Sequence, residues 1–144
     1  MQYTALATDY DGTLANRGHV DEAAIAALKR LRATGRALIL VTGRVLDDLR
    51  GVFPQFDLFD RVVAENGAVL HRPKANETVA LAPPVPAKLV EALHRKGVQP
   101  LSVGLVIAAT HTPHEKLVLD TIRDMALDTS VVFNKGAVMM LPDG

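Results

Sequence analysis

The chain has 144 residues, 49% of them hydrophobic, with sixteen basic residues balancing sixteen acidic ones and no cysteine. This composition supports a packed core in one domain or two small ones. It argues against intrinsic disorder, a nucleic-acid partner, disulfides and thiolate metal sites. No apolar stretch approaches the roughly 18 residues of a membrane span, and no basic-then-apolar leader opens the chain, so no membrane partner is expected and the expected location is cytoplasmic.

Residues 3–8, Tyr-Thr-Ala-Leu-Ala-Thr, read as a buried strand that runs into Asp9, followed by a loop over 12–19. Asp21 is placed to cap a helix through about Thr34, because Ile25, Leu28 and Leu31 recur at helical spacing and Gly35 follows as a C-terminal stop. The continuous apolar run Ala37–Val41 predicts a buried parallel strand ending in Thr42-Gly43-Arg44. A short helix over about 45–52 and a third strand, Arg61–Ala64, come next, the latter ending at Glu65-Asn66-Gly67. Strand, helix, strand, helix, strand in this order predicts a parallel sheet with right-handed crossovers. Every strand then delivers polar residues at its C-terminal end, the edge at which open α/β sheets bind ligands.

After about His71 the texture changes. A short strand over 78–81 and a Pro-rich link are followed by a helix from Pro86 to about Lys96, closed by Gly97. Residues 102–108 predict one strand. Thr112-Pro113-His114-Glu115 reads as a capping box for a helix to about Leu127, and 131–133 with 137–141 as a hairpin around Asn134-Lys135-Gly136. The expected organisation is a core part over 1–76, an α+β module of about four strands and two helices over 77–141, and a return toward the core beginning at 142–144.

Chemistry concentrates in "DYDGT" at 9–13. An Asp-x-Asp pair on extended backbone sends both acids to one side. Two carboxylates about 4 Å apart repel by roughly 4 kcal/mol at an effective dielectric near 20, so either one is protonated or a cation lies between them. A hard divalent ion such as Mg²⁺ would take these oxygens and neutralise an arriving phosphate. Gly12 and Thr13 offer main-chain N–H groups, Thr42 a hydroxyl, and Gly43 with the following helix start further donors. The set suits attack by a carboxylate on phosphorus. Bland readings stand beside it: Arg44 as a surface arginine, Asn66 as a turn residue, His111 and His114 as solvated side chains, and Met139-Met140 as packing.

"DYDGTL" at 9–14 resembles the first motif of the haloacid dehalogenase (HAD) superfamily of phosphohydrolases, and "LILVTGR" at 38–44 resembles the second. "AENGAVL" at 64–70, with an α+β insertion after it, is similar to the Cof-type, sugar-phosphate branch. The resemblance implies an α/β fold, a partial Rossmann-like parallel three-layer core with an inserted small α+β cap. It implies Mg²⁺-dependent hydrolysis of a small phosphorylated metabolite, such as a sugar phosphate. In that reading Asp9 is nucleophile and metal ligand. Asp11 is general acid/base and gives its carbonyl to the metal. Thr42 holds the phosphoryl group, Gly12 and Thr13 cradle it, Gly43 and Arg44 shape the entrance, and Asn66 faces the substrate.

The same resemblance implies a later Lys motif and a Gly-Asp-x-x-Asn-Asp motif, and the 144 residues contain neither. The expectation is a truncated phosphatase with impaired turnover, whose first strand has an open apolar edge that invites homo-oligomers. A non-catalytic phosphate-binding or interaction module is the alternative. A receiver-like domain is disfavoured by the insertion and by the order Asp-Tyr-Asp-Gly-Thr.

Overall fold

The computed structural model describes residues 3–143, which divide into two units between Leu81 and Ala82. In the first unit, β1 (Ala5–Asp9), β2 (Ala37–Val41) and β3 (Arg61–Ala64) pair in parallel, with Asp9 opposite Val41 and Val41 opposite Val63. Helix α1 (Glu22–Ala33) begins as its sequence requires: the Asp21 carboxylate accepts the Ala24 N–H at 2.7 Å, and Gly35 follows with φ of 81°. Helix α2 (Leu46–Val52) lies between β2 and β3. The α/β core is therefore as expected.

Two further strands extend this sheet. β4 (Val69–Arg72) pairs antiparallel with β3, and β5 (Glu77–Ala80) antiparallel with β4, giving the order β1-β2-β3-β4-β5. The sequence reading did not foresee β4 and placed the strand near 78–81 in the second module; its register opposite 69–72 puts it in the first sheet instead. β1 stands at the sheet edge, the open edge expected of the first strand; its faces are less covered than the reading of a buried strand implies, with Ala5, Leu6 and Ala7 exposed, Leu6 by 37%. β2 is covered on one side, with Leu38 and Leu40 buried and Val41 39% exposed. Tyr10, Leu49, Phe53, Phe59 and Val62 are also fully or almost fully buried, and Phe53 lies 5.6 Å from Tyr10 and 6.3 Å from Phe59 between ring centroids.

The second unit holds α3 (Ala87–Arg95), β6 (Ser102–Val103), β7 (Ala108–His111), α4 (Glu115–Asp124), β8 (Thr129–Asn134) and β9 (Ala137–Pro142). Its sheet is antiparallel in the order β6-β7-β9-β8. Leu89 and Leu93 of α3 and Val118 and Ile122 of α4 form one core with Ala108, Val138 and Met140 from the sheet. The unit's four strands are not the expected four, since the strand near 78–81 belongs to the first sheet. The single strand expected over 102–108 is instead a hairpin, because the chain reverses between Gly104 and Ile107, whose N–H and C=O join at 2.8 Å. The capping box at Thr112 does not form. The Thr112 N–H goes to Gly136 O at 3.0 Å, and α4 starts after His114 without a side-chain cap. The expected return segment 142–144 ends in Gly144, which lies outside the described residues. No described helix is long and apolar enough to cross a membrane.

Candidate active site

Parallel register sets the site. Asp9 is the last residue of β1 and sits opposite Val41, the last residue of β2, so Asp9, Asp11 and Thr42 all occur at the carboxyl ends of adjacent strands. Tyr10 N–H donates to Val41 O at 3.1 Å and Thr42 N–H to Val63 O at 2.9 Å, so the three strand ends are joined by main-chain bonds. The chain then turns at Gly12, whose φ of 84° lies in the left-handed region that favours glycine.

The loop consumes some of the donors expected to face a ligand. Gly12 N–H donates to Ala15 O at 2.9 Å, and Thr13 N–H reaches Tyr10 O at 3.4 Å. Thr13 is placed beside the first acid by its side chain: its hydroxyl donates to Asp9 Oδ2 at 3.1 Å. Thr42 is buried, and its Oγ1 accepts the Arg44 N–H at 3.1 Å. That leaves its hydroxyl proton able to donate elsewhere. Gly43 and Arg44 precede α2, which opens at Leu46 with no side-chain cap.

Arg44 joins most of these parts. Its Nε donates to Asp11 Oδ2 at 2.7 Å and its Nη2 to Asp11 Oδ1 at 2.8 Å, a two-pronged ion pair across 33 residues of sequence. Its guanidinium carbon lies 5.4 Å from the centroid of the Tyr10 ring. Its carbonyl accepts the Glu65 N–H at 3.0 Å, which ties the end of β3 to the same residue. The hydrogen bonds to Asp11 raise the Arg44 pKa further, against the opposing effect of burial. The two side chains are 30% and 38% exposed, so the pair adds on the order of 1 kcal/mol or less to stability. Its larger effect is orientation, since a planar fork fixes both groups.

Sequence reasoning missed Tyr10. The ring is fully buried, and its O–H donates to Gly18 O at 2.9 Å, closing the loop that carries Asp11. Burial pushes the phenol pKa up, while the Arg44 charge opposes this. Its place between two acids in an apolar-to-polar transition was the available signal. Asn66 is exposed, at φ of 56° between Glu65 at 54° and Gly67 at 94°, so it occupies a tight left-handed turn; Glu65 itself is buried. Among the described residues, no group of three or more His, Cys, Asp or Glu side chains could hold a metal ion.

Comparison with known proteins bears on the family and the fold. The family model for haloacid dehalogenase-like hydrolases matches residues 6–110. No curated protein sequence matches the chain significantly. Among solved structures, the C-terminal domain of C. albicans trehalose-6-phosphate phosphatase superposes with a TM-score of 0.71 at 17% identity, covering 98% of this chain and 57% of that one. A haloacid dehalogenase-like hydrolase from Bacteroides thetaiotaomicron gives 0.72 at 15% identity, covering 99% and 72%. A HAD subclass IIB sugar phosphatase gives 0.61 at 19% identity, covering 98% and 70%. The chain thus spans little more than half the length of the C. albicans domain, and identities this low speak to fold alone. With the match over residues 6–110 and the two acids, Thr42 and Arg44 at the strand ends, the chain belongs to the haloacid dehalogenase-like hydrolases.

Proposed function

We propose that residues 9–13 and 42–44 form the phosphate site of a phosphomonoester hydrolase acting on a small phosphorylated metabolite, with a sugar phosphate as the favoured class. The observation that supports this most directly is the placement of Asp9, Asp11 and Thr42 on adjacent strand ends, bridged by Arg44. The sugar-phosphate class rests on structural likeness to a trehalose-6-phosphate phosphatase and a sugar phosphatase.

In this reading an Asp9 carboxylate oxygen attacks phosphorus, and the P–O bond to the leaving alcohol breaks. Thr13 O–H orients Asp9 through Oδ2, leaving Oδ1 as the attacking atom. The Thr42 hydroxyl donates to a phosphoryl oxygen while its Oγ1 is held by the Arg44 N–H. Asp11 delivers a proton to the leaving oxygen, then takes one from the water that hydrolyses the aspartyl-phosphate. Gly43 and Arg44 border the substrate, and Asn66 is placed near the end of β3. We assign the second unit the substrate-selecting role of a cap.

Mg²⁺ fits this donor set in one way. It accepts one or two protein oxygens and completes its shell with water and phosphate, so the Asp9 carboxylate and the Asp11 carbonyl would suffice. The Asp11 carboxylate does not fit as a ligand, because both of its oxygens accept from a guanidinium. When bound, the ion would neutralise the phosphoryl oxygens during attack.

The test is hydrolysis of an aryl phosphate and a panel of sugar phosphates with Mg²⁺, comparing the native chain with Asp9→Asn. Turnover abolished by the substitution supports the proposal. Equal turnover in both proteins, or neither turnover nor stabilisation by phosphate with Mg²⁺, would falsify it. A second reading, a phosphate-binding module without turnover, is favoured by the tethered Asp11; it expects a phosphate-dependent rise in melting temperature with no product. The exposed edge strand β1 supports self-association, and sizing in solution tests it: a monomer at all concentrations overturns that part.

A further inference from the structure

The geometry points to Arg44 as an exchange latch: it holds Asp11 until a phosphate dianion arrives, then transfers its fork from the carboxylate to the phosphate. The inference rests on the reading of residues 9–13 and 42–44 as a phosphate site, and adds to it the order of events there.

Both Asp11 oxygens accept hydrogen bonds from Arg44, at 2.7 and 2.8 Å, so the guanidinium occupies both of them. While the fork is closed, neither oxygen can turn toward a leaving alcohol. For Asp11 to act as acid, Arg44 has to let go.

Arg44 is built to let go without moving far. Its main chain is fixed on both sides, since its N–H donates to Thr42 Oγ1 at 3.1 Å and its C=O accepts from Glu65 N–H at 3.0 Å. Its guanidinium rests beside the buried Tyr10 ring, 5.4 Å from the centroid. The side chain is still 30% exposed, so an anion can reach it from solvent. Thr42, whose hydroxyl is proposed to donate to a phosphoryl oxygen, is the residue whose Oγ1 holds the Arg44 main chain. A phosphate dianion there offers the same fork geometry as a carboxylate with more negative charge, so it outcompetes Asp11 for the guanidinium. Asp48 also faces the Arg44 charge but is exposed on α2 and forms no fork with it. Arg44 is thus a positioning residue for Asp11 and a direct ligand of the phosphate.

Inorganic phosphate titrated into four proteins by calorimetry tests this: native, Asp11→Asn, Arg44→Gln and the double variant, each first checked for an intact melting transition. In the native chain phosphate must displace Asp11, which weakens its apparent affinity. Asp11→Asn removes that competitor, and also one repulsive charge. The expected result is that Asp11→Asn tightens phosphate binding by about tenfold when Arg44 is present, and by at most a small factor in the Arg44→Gln background, where only the repulsion is relieved. Arg44→Gln alone weakens binding. Equal gains in the two backgrounds, or no gain in either, overturn the latch while leaving the phosphate site standing. Absence of phosphate binding in all four overturns the site reading and the latch together. Should Arg44→Gln fail to fold, Arg44→Lys serves in its place: a point charge cannot fork, so the difference between the two backgrounds shrinks if the latch is real and persists if it is not.

Discussion

The phenolic O–H of Tyr10 donates to the main-chain oxygen of Gly18 at 2.9 Å, so the residue between the two acids also fastens the far end of their loop. The ring is fully buried against Phe53, which makes the tie rigid. Tyr10→Phe keeps the packing and removes the bond. It is expected to lose about 1 kcal/mol, and more if the Gly18 carbonyl finds no water. Tyr10→Ala adds a cavity and is expected to lose about 3–5 kcal/mol. Urea midpoints separate the two. Proteolysis between residues 12 and 19 should quicken in Tyr10→Phe out of proportion to its global loss; unchanged cleavage there would refute the fastening role.

Asp60 and Leu38 exchange two hydrogen bonds. Asp60 N–H donates to Leu38 O at 2.8 Å, and the Leu38 N–H donates to Asp60 Oδ2 at 3.0 Å. Lys74 Nζ donates to Oδ1 at 2.7 Å. The Lys74 bond and the Leu38 N–H hold the Asp60 carboxyl below the usual carboxylate range. A depressed folded-state pKa gives stability that is present above the unfolded value of about 3.9 and is lost as pH falls through the lower folded value. Asp60→Ala strands a buried N–H and is expected to lose about 1–3 kcal/mol, whereas Lys74→Ala, at an exposed ammonium, should lose under about 1 kcal/mol. Equal losses in chemical denaturation would show that the charge, and not the Leu38 bond, matters.

Local signals made several elements readable from sequence. Asp21 caps α1 because its carboxylate needs only Ala24, three residues on, and β3 runs over Arg61–Ala64 as read. The strand ends beside Asp9, Asp11 and Thr42 were legible from the apolar runs that precede them, while the roles proposed for these residues came from the resemblance of their motifs. The failures involve partners far along the chain. β5 looked like part of the second module because nothing local reveals that Thr78 pairs with His71. "SVGLVIA" reads as one apolar strand, yet the chain reverses between Gly104 and Ile107 and leaves Leu105 half exposed. The capping box expected at Thr112 does not form: its main-chain N–H bonds Gly136 O, far along the chain, and the helix starts only after His114. Most telling is Arg44: an arginine before a short helix is unremarkable until the fold brings Asp11 to it from 33 residues away.

His71 is buried on β4, where its Nδ1 shares a hydrogen bond with Thr78 Oγ1 at 2.8 Å and its ring lies 5.6 Å from that of Phe56. Burial lowers its pKa, and the charge of Arg50 lowers it further. The folded state therefore prefers neutral imidazole. That contribution is complete above the unfolded value of about 6.5 and is lost as pH falls through the depressed folded value. The urea midpoint is expected to drop on going from about pH 7.5 to pH 5, a window above that of Asp60. His71→Gln should flatten this part of the profile at some cost in packing. An undiminished drop in the variant would assign the effect to other groups.

Asn66 distinguishes a turn residue from a substrate contact. Its φ of 56° follows Glu65 at 54° and precedes Gly67 at 94°, a run of left-handed backbone that strains any residue with a Cβ other than asparagine or aspartate. Asn66→Gly and Asn66→Ala remove the same amide, so the difference between them isolates the backbone. Alanine is expected to be the less stable by about 1 kcal/mol, from steric strain at positive φ. Phosphate binding should be equal in the two variants, since neither carries the amide. If both bind phosphate like the native chain, Asn66 serves the turn that places Glu65 N–H on Arg44 O. If both bind it more weakly while glycine keeps native stability, the amide reaches the ligand.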